Sequence, residues 1–133
     1  MVILLDADVI IRGERGTFDL GGWVTSLPND SFEIAAITIA ELWHGVERAA
    51  EPQKSKRRKY LETVVAALPV VAYTEQTAYE HARIWAELQS AGKMIGAYDL
   101  IVAATALERG SHVATFNKRH FAMVKGLHIL EPR

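Results

Sequence analysis

The sequence predicts a single α/β domain built on a parallel β-sheet. Short uninterrupted apolar runs, such as Val2–Leu5, are typical of strands buried on both faces, and longer segments of helical periodicity alternate with them. The length of 133 residues suits one domain with its own core, and no linker or internal repeat divides the chain. We therefore expect residues 1–133 to form one domain whose central sheet has helices on both sides.

The first predicted strand, Val2–Leu5, ends abruptly at Asp6. Glycines mark the segment after it as loop-rich, with a short helix around residues 23–27. A second strand is expected over residues 32–37, followed by an amphipathic helix. Thr38 and Glu41 have the spacing of a capping box, so this helix is expected to begin with Thr38 as its N-cap.

A basic helix is expected to begin at Pro52, since proline is tolerated in a first helical turn. Thr74 would cap the next helix, with His81 and Trp85 among the residues on its inner face. The remaining strands are expected over residues 69–73, 112–116 and 128–130, with a turn or short helix over residues 117–121.

The segment Gly96–Ala106 is apolar on nearly every side, which predicts a helix buried in the middle of the domain. Gly110 is the expected glycine stop at its C-terminal end. Asp99 lies near the beginning of this helix. A carboxylate carried into a core is costly unless it is paired, hydrogen-bonded or bound to a cation. What Asp99 faces is therefore the central question about this chain.

The cysteine count, the net charge and the length of the apolar runs exclude several kinds of site and of protein. The chain has no cysteine, which excludes disulfides and a thiolate metal site. A formal net charge of −1 argues against holding nucleic acid by bulk charge alone. No secretory signal is visible, and no apolar run approaches the ~20 residues that span a bilayer. We expect a cytoplasmic protein with no membrane partner.

Acidic and amide side chains follow the ends of several predicted strands. Asp6 and Asp8 follow the first strand, Glu41 the second and Asn117 the fourth, while Asp99 lies in the first turn of the buried helix. In open α/β sheets ligands bind outside the carboxyl ends of the strands, so these side chains can converge on one cleft. Converging carboxylates repel one another, and an oxygen-only ligand set favours Mg²⁺ or Mn²⁺.

Each of these residues also has a simpler explanation. Asp6 and Asp8 could cap a following helix, Glu41 could serve only its capping box, and Asp99 could be an N-cap or a first-turn acid favoured by the helix dipole. The histidines do not show metal-ligand spacing (His112, His120 and His128). What favours a cation site is that Asp6, Asp8, Glu41 and Asp99 are all expected at the same edge of the sheet.

Two groups of basic residues differ in their expected roles. The dense run from Lys54 to Lys59 is expected to be a solvated helix face. The basic residues that flank the proposed cleft are better candidates for contact with a phosphate backbone; they are Arg12, Arg15, Lys118 and Arg119.

Four segments in order resemble the PIN-domain nucleases, and specifically the VapC-type toxins of toxin–antitoxin pairs. The segments are spread along nearly the whole chain; they are Leu4–Ile10, Ala36–Gly45, Ala97–Ala106 and Ala114–Phe121. Within them Asp6, Glu41 and Asp99 match the acidic metal ligands of the family. Asn117 matches its fourth site, which is often Asp, and Asp8 stands where the family commonly has Asn.

The resemblance implies a Mg²⁺-dependent endoribonuclease that hydrolyses phosphodiesters in RNA. Thr115 and Asn117 would position the water or the phosphate by hydrogen bonds. The family also implies a homodimer and a small VapB-like antitoxin whose tail covers the cleft.

Two alternatives to this interpretation are open. The same acidic cleft would suit a metal-dependent phosphatase or DNA nuclease. A catalytically weak PIN-like domain that binds RNA or protein without cutting is the non-enzymatic alternative. The intact set of Asp6, Glu41 and Asp99 argues against the weak domain, whereas Asn117 leaves it open.

Overall fold

A five-stranded, all-parallel β-sheet forms the centre of the computed structural model, which describes residues 1–133. The strands are β1 (Val2–Leu5), β2 (Ser31–Ala35), β3 (Val70–Val71), β4 (His112–Ala114) and β5 (Ile129–Leu130). Their order across the sheet is β3-β2-β1-β4-β5. The chain therefore starts in the middle strand and adds strands first on one side of it and then on the other.

Seven helices connect and cover the strands. They are α1 (Ala7–Glu14), α2 (Leu20–Thr25), α3 (Ala36–Arg48), α4 (Gln53–Ala66), α5 (Glu75–Ser90), α6 (Ala97–Arg109) and α7 (Lys118–Phe121). None of them is long and apolar enough to cross a membrane.

The sheet separates two hydrophobic cores. In β1, Leu4 belongs to the core shared with α5 and α6, whereas Ile3 and Leu5 belong to the core shared with α1 to α4. Successive side chains of a strand point to opposite faces, so this division means that helices cover both faces. The predicted fold class, a parallel sheet flanked by helices on both sides, is confirmed.

Helix α1 occupies a segment that the sequence analysis assigned to loop. The helix begins at Ala7, directly after Asp6, and buries Val9 and Ile10 against the sheet. The apolar pair next to the strand outweighs the nearby Gly13, which lies within the last turn of the helix.

Helix α3 begins three residues earlier than predicted, with its N-cap at Ala35 rather than at Thr38. Ala35 is both the last residue of β2 and the N-cap position of α3, so Thr38 is not the cap and the expected capping box does not form. Thr38 is fully buried, and its hydroxyl has no hydrogen-bond partner. Glu41 is consequently free of the capping role that its spacing indicated.

Helix α5 has the predicted cap but a different inner face. Thr74 caps it in a reciprocal pair of hydrogen bonds with Thr77. The buried residues are Thr77, Ile84 and Leu88, whereas Trp85, predicted to face inward, is 52% exposed. The inner face is therefore rotated by one residue from the predicted one.

Helix α6 is the buried helix that the sequence predicts. Leu100 and the unbroken run Val102–Ala106 are buried, and Gly110 ends the helix with a φ of 69°. This left-handed conformation favours glycine. Because α6 is fixed along its length, Asp99 in its first turn is rigidly positioned.

Candidate active site

Asp6 and Thr115 lie side by side because β1 and β4 pair in parallel and end together. Leu5 pairs with Ala114, and the next residues on each strand extend past the end of the sheet. The backbone N–H of Asp6 donates to Ala114 O at 3.0 Å, and Thr115 Oγ1 donates to Asp6 Oδ2 at 2.9 Å. Asp6 is only 4% exposed, so its carboxylate is held at the buried floor of the cleft.

Asp8 is turned back toward β4 by the first turn of α1. Its Oδ2 accepts a hydrogen bond of 3.1 Å from the backbone N–H of Phe116 and lies 3.3 Å from Thr115 Oγ1. Asp6 occupies the N-cap position of α1, but no side-chain capping bond is present. The two aspartates therefore serve the contact with β4 rather than the start of a helix.

Glu41 reaches the same cleft from α3. Its Oε1 is buried and has no hydrogen-bond partner. Burial, with repulsion from Asp99 and then Asp8, raises the pKa of Glu41 to about 7. An unpartnered buried carboxylate oxygen among other acids is a position that needs a cation or a proton.

Asp99 lies in the first turn of α6, where Gly96 is the N-cap position. Its side chain makes no capping bond and is 20% exposed. Asp99 Oδ2 lies 3.4 Å from His120 Nδ1. Asp99 is therefore directed toward α7 and the other acids, as the sequence interpretation of a ligand requires.

Asn117 and His120 lie next to each other at the beginning of α7, on the side of the cleft where Asp99 lies. Asn117 Nδ2 lies 2.8 Å from His120 Nδ1, the same ring nitrogen that approaches Asp99. The contact spans three residues and exists because residues 118–121 form one helical turn. His120 was not among the site residues expected from the sequence.

Burial dominates the electrostatics of the cleft. Burial, with repulsion from Asp8 and a smaller repulsion from Asp99, raises the pKa of Asp6 to about 7, although the Thr115 hydrogen bond opposes the shift. Burial also raises the pKa of Asp8, although hydrogen bonds from Phe116 and Thr115 and the charge of Arg12 oppose the shift. Asp6 and Glu41 thus sense neighbouring carboxylates, as expected for side chains that face one cleft.

The chemistry of these side chains fits a hard divalent cation, but their positions are not those of a closed metal cage. No group of three or more His, Asp or Glu side chains is gathered closely enough to hold a metal ion as it stands. The fit rests on the all-oxygen donor set and on the unpartnered Glu41 Oε1. Asp6, Glu41 and Asp99 are the residues that would hold the ion, once their side chains draw together around it.

The basic residues predicted to flank the cleft do so to different degrees. The Arg12 guanidinium lies over the ring of Phe116, with its Cζ 4.1 Å from the ring centroid. Lys118 and Arg119 are exposed on α7, next to Asn117. Arg15 is exposed at the end of α1, beside a small cavity that Glu41 also lines.

The basic helix α4 has the solvated character expected of it. Lys54 and Arg58 lie within 4.0 Å and 3.7 Å of the exposed Glu47. Arg57 alone reaches inward, to Glu14 on α1 at 3.1 Å. Exposed ion pairs such as those of Lys54 and Arg58 with Glu47 contribute little to the stability of the fold.

Comparison with known proteins identifies the family and the fold of this chain. The PIN domain family matches residues 3–127. Ribonuclease VapC1 of Rickettsia felis is 30% identical over 98% of this chain and 96% of that protein. The tRNA(fMet)-specific endonuclease VapC of Salmonella typhimurium is 34% identical over 72% of this chain and 71% of that protein.

A solved structure agrees with these sequence relatives. The crystal structure of DNA-bound VapBC from Salmonella typhimurium contains a chain that superposes with a TM-score of 0.88 at 27% identity. The alignment covers 98% of this chain and 97% of that one. The likeness therefore extends over the sheet and both helical layers.

Proposed function

Because the chain belongs to the PIN-domain family, as a VapC-type ribonuclease toxin of a toxin–antitoxin pair, we propose that it is a metal-dependent endoribonuclease. Asp6, Glu41 and Asp99 would hold one Mg²⁺ or Mn²⁺ ion. The substrate is RNA, and the reaction is hydrolysis of an internal phosphodiester bond.

The observation that carries this proposal is the convergence of four carboxylates on one edge of the sheet, one of them with an unpartnered buried oxygen. Asp6 and Asp8 come from the β1–α1 junction, Glu41 from α3 and Asp99 from α6. Such a cluster is unfavourable without a cation, and a bound divalent ion removes the repulsion.

The protein's own residues set the geometry of the reaction. When bound, the ion supplies a water of lowered pKa and neutralises charge on the scissile phosphate. Thr115 holds Asp6 through its hydroxyl, and the rigid helix α6 fixes Asp99. Asn117 and His120 border the same cleft and are placed to donate hydrogen bonds to a phosphate or to the attacking water. One carboxylate accepts the proton that this water releases.

We also propose two protein partners, a small VapB-like antitoxin that covers the cleft and a second copy of this chain. An exposed patch on α5 and its flanks supports the homodimer. The ring of His81 lies between the rings of Tyr73 and Trp85 and contacts both of them. Trp85 and Met94 line one cavity. Exposed apolar patches of this kind mark association surfaces.

Cleavage of mixed RNAs by the purified protein, with Mg²⁺, Mn²⁺ or EDTA, tests the proposed activity. We expect cleavage only with the ions, and its loss in Asp99→Asn. Asp19→Asn is the matched control, because Asp19 caps α2, is not one of the four acids of the cleft, and Asn caps helices equally well. Cleavage that survives EDTA or Asp99→Asn would contradict the mechanism.

The same experiment separates the alternatives. DNA and a phosphomonoester are included as substrates, and preference for either would favour a DNA nuclease or a phosphatase. RNA binding without cleavage under every ion condition would favour the non-cutting domain.

A further inference from the structure

Arg12 has a setting that differs from that of the other cations around the cleft. Its guanidinium lies over the face of the Phe116 ring at 4.1 Å from the centroid, although the side chain as a whole is exposed. It makes no ion pair and donates no side-chain hydrogen bond, whereas Arg57, Arg83 and Arg109 are each paired with glutamates. One face of the guanidinium is therefore covered by an aromatic ring, and the other face and the N–H groups are available.

Phe116 is a rigid support for this arrangement. Its ring and the Phe18 ring pack in a T-shaped arrangement, with centroids 5.3 Å apart and an interplanar angle of 77°. Phe18 in turn contacts Trp23, which is buried. The Phe116 ring is thus held in place by this aromatic cluster, and the Arg12 guanidinium lies over its face.

The pair is also fixed relative to the acidic cleft. Phe116 stands between Thr115 and Asn117, and its backbone N–H donates to Asp8 Oδ2 at 3.1 Å. Arg12 lies one helical turn after Asp8 on α1. A group bound on the outer face of Arg12 would therefore lie at the rim of the cleft, beside a phosphate placed over the acids.

We propose that the Arg12–Phe116 pair is a stacking platform for one unpaired base of the RNA substrate, next to the scissile phosphate. A planar guanidinium stacks on nucleobases, while its edge N–H groups remain free to contact the sugar–phosphate backbone. The site takes a base by its flat face, so it favours single-stranded RNA and tolerates different bases. The inference rests on the proposed ribonuclease function and assigns a binding subsite to it.

Binding of a fluorescent single-stranded RNA, measured by anisotropy in EDTA so that cleavage does not interfere, tests the platform. Arg12→Lys keeps the charge and removes the plane, and we expect roughly ten-fold weaker binding, within the range for loss of one stacked base. Phe116→Leu, which removes the flat support, should have a similar effect. Arg58→Lys, on the solvated helix α4 where Arg58 pairs with Glu47, is the control and should bind as the wild type does.

An RNA of the same length without bases separates stacking from charge. On this abasic RNA, Arg12→Lys and the wild type should bind equally. Equal affinity of Arg12→Lys and the wild type for normal RNA, or an equal loss on both RNAs, would overturn the platform and leave Arg12 as a simple charge. A face that serves the antitoxin instead would also leave every RNA affinity unchanged by Arg12→Lys.

The outcomes for the two proposals differ. If the wild type cleaves and binds RNA but Arg12→Lys is unchanged, only the platform fails. If the wild type neither binds nor cleaves RNA, the ribonuclease proposal fails, and the platform fails with it.

Discussion

The hydroxyl of Thr115 donates a hydrogen bond of 2.9 Å to Asp6 Oδ2, and this contact joins the ends of the two central strands. The same oxygen accepts the backbone N–H of Asn117 at 2.9 Å. Thr115 is fully buried, so no water competes for these bonds. One hydroxyl thus orients both the Asp6 carboxylate and the backbone of Asn117.

Replacing Thr115 with Val should disable the site without unfolding the domain. Val has nearly the same shape but can neither hold Asp6 nor accept from Asn117. We expect metal affinity and RNA cleavage to fall roughly 10- to 100-fold, as when a ligand-orienting residue is lost. Isothermal titration with Mn²⁺ and an RNA cleavage assay measure the two effects.

Two controls accompany this variant. Thr115→Ser keeps the hydroxyl and should retain most of the activity. Thr105→Val removes a buried hydroxyl that bonds only to Ile101 O within α6, and it should not change the metal affinity. Wild-type metal affinity and cleavage in Thr115→Val would show that Thr115 has no positioning role.

The stability of the metal-free protein should decrease as pH rises toward neutrality. The pKa values of Asp6 and Glu41 are about 7 in the folded protein, above the roughly 4 of unfolded carboxyls. The folded state therefore holds protons that the unfolded state has released. The stabilisation from these groups is fully present below about pH 4 and is lost as pH rises through 7.

Thermal unfolding in EDTA across pH 5 to 8, for the wild type and for Asp6→Asn combined with Glu41→Gln, measures this effect. The wild type should lose stability relative to the variant as pH increases, and Mg²⁺ should restore it at pH 8 far more than at pH 5. Parallel profiles for the two proteins would contradict the assignment of the shift to these acids.

Arg119 should contribute more to RNA affinity than Lys56 does. Arg119 is exposed on α7 beside Asn117, while Lys56 is exposed on α4, whose neighbouring cations pair with Glu47. Arg119→Ala should weaken binding and reduce the salt dependence of binding by about one phosphate contact, whereas Lys56→Ala should do neither. Equal losses in a salt titration of both variants would place the RNA on a different path.

Trp85→Glu should dissociate the proposed homodimer. Trp85 is 52% exposed at the centre of the aromatic patch on α5, and a buried charge there would be unpaired in a dimer. Sedimentation equilibrium should give a monomer mass for this variant and a dimer mass for the wild type. Thr63→Glu, an exposed position on α4 at the opposite face of the sheet, is the control. A dimeric Trp85→Glu would show that copies associate elsewhere.

The sequence was sufficient to predict the sheet and the helices that carry Glu41 and Asp99, but not α1, which carries Asp8. Apolar runs mark buried parallel strands, and the carboxyl ends of such strands meet at one edge. Asp6 follows β1 directly and Asp99 lies in the first turn of α6, as predicted. The pairing register of β1 with β4 then brings Thr115 beside Asp6. The sequence around either residue contains no pattern that predicts this contact.

Local signals failed where tertiary packing determined the outcome. Thr38 and Glu41 have capping-box spacing, yet α3 begins directly at the end of β2 and leaves no residues for a cap. Trp85 is apolar and was assigned inward, but the helix buries Ile84 instead. His120 enters the site only through the turn of α7 and the approach of α6, so its spacing in the sequence carried no signal.

The pairing of β1 with β4 has a consequence for the cell that makes this protein. Asp6 leaves the ribosome early, whereas its partner Thr115 lies 109 residues later in the chain. A nascent chain therefore carries the first acids of the cleft long before it holds the strand that completes them. The acids of the cleft therefore take up their final hydrogen bonds only after the residues that follow β4 have been made.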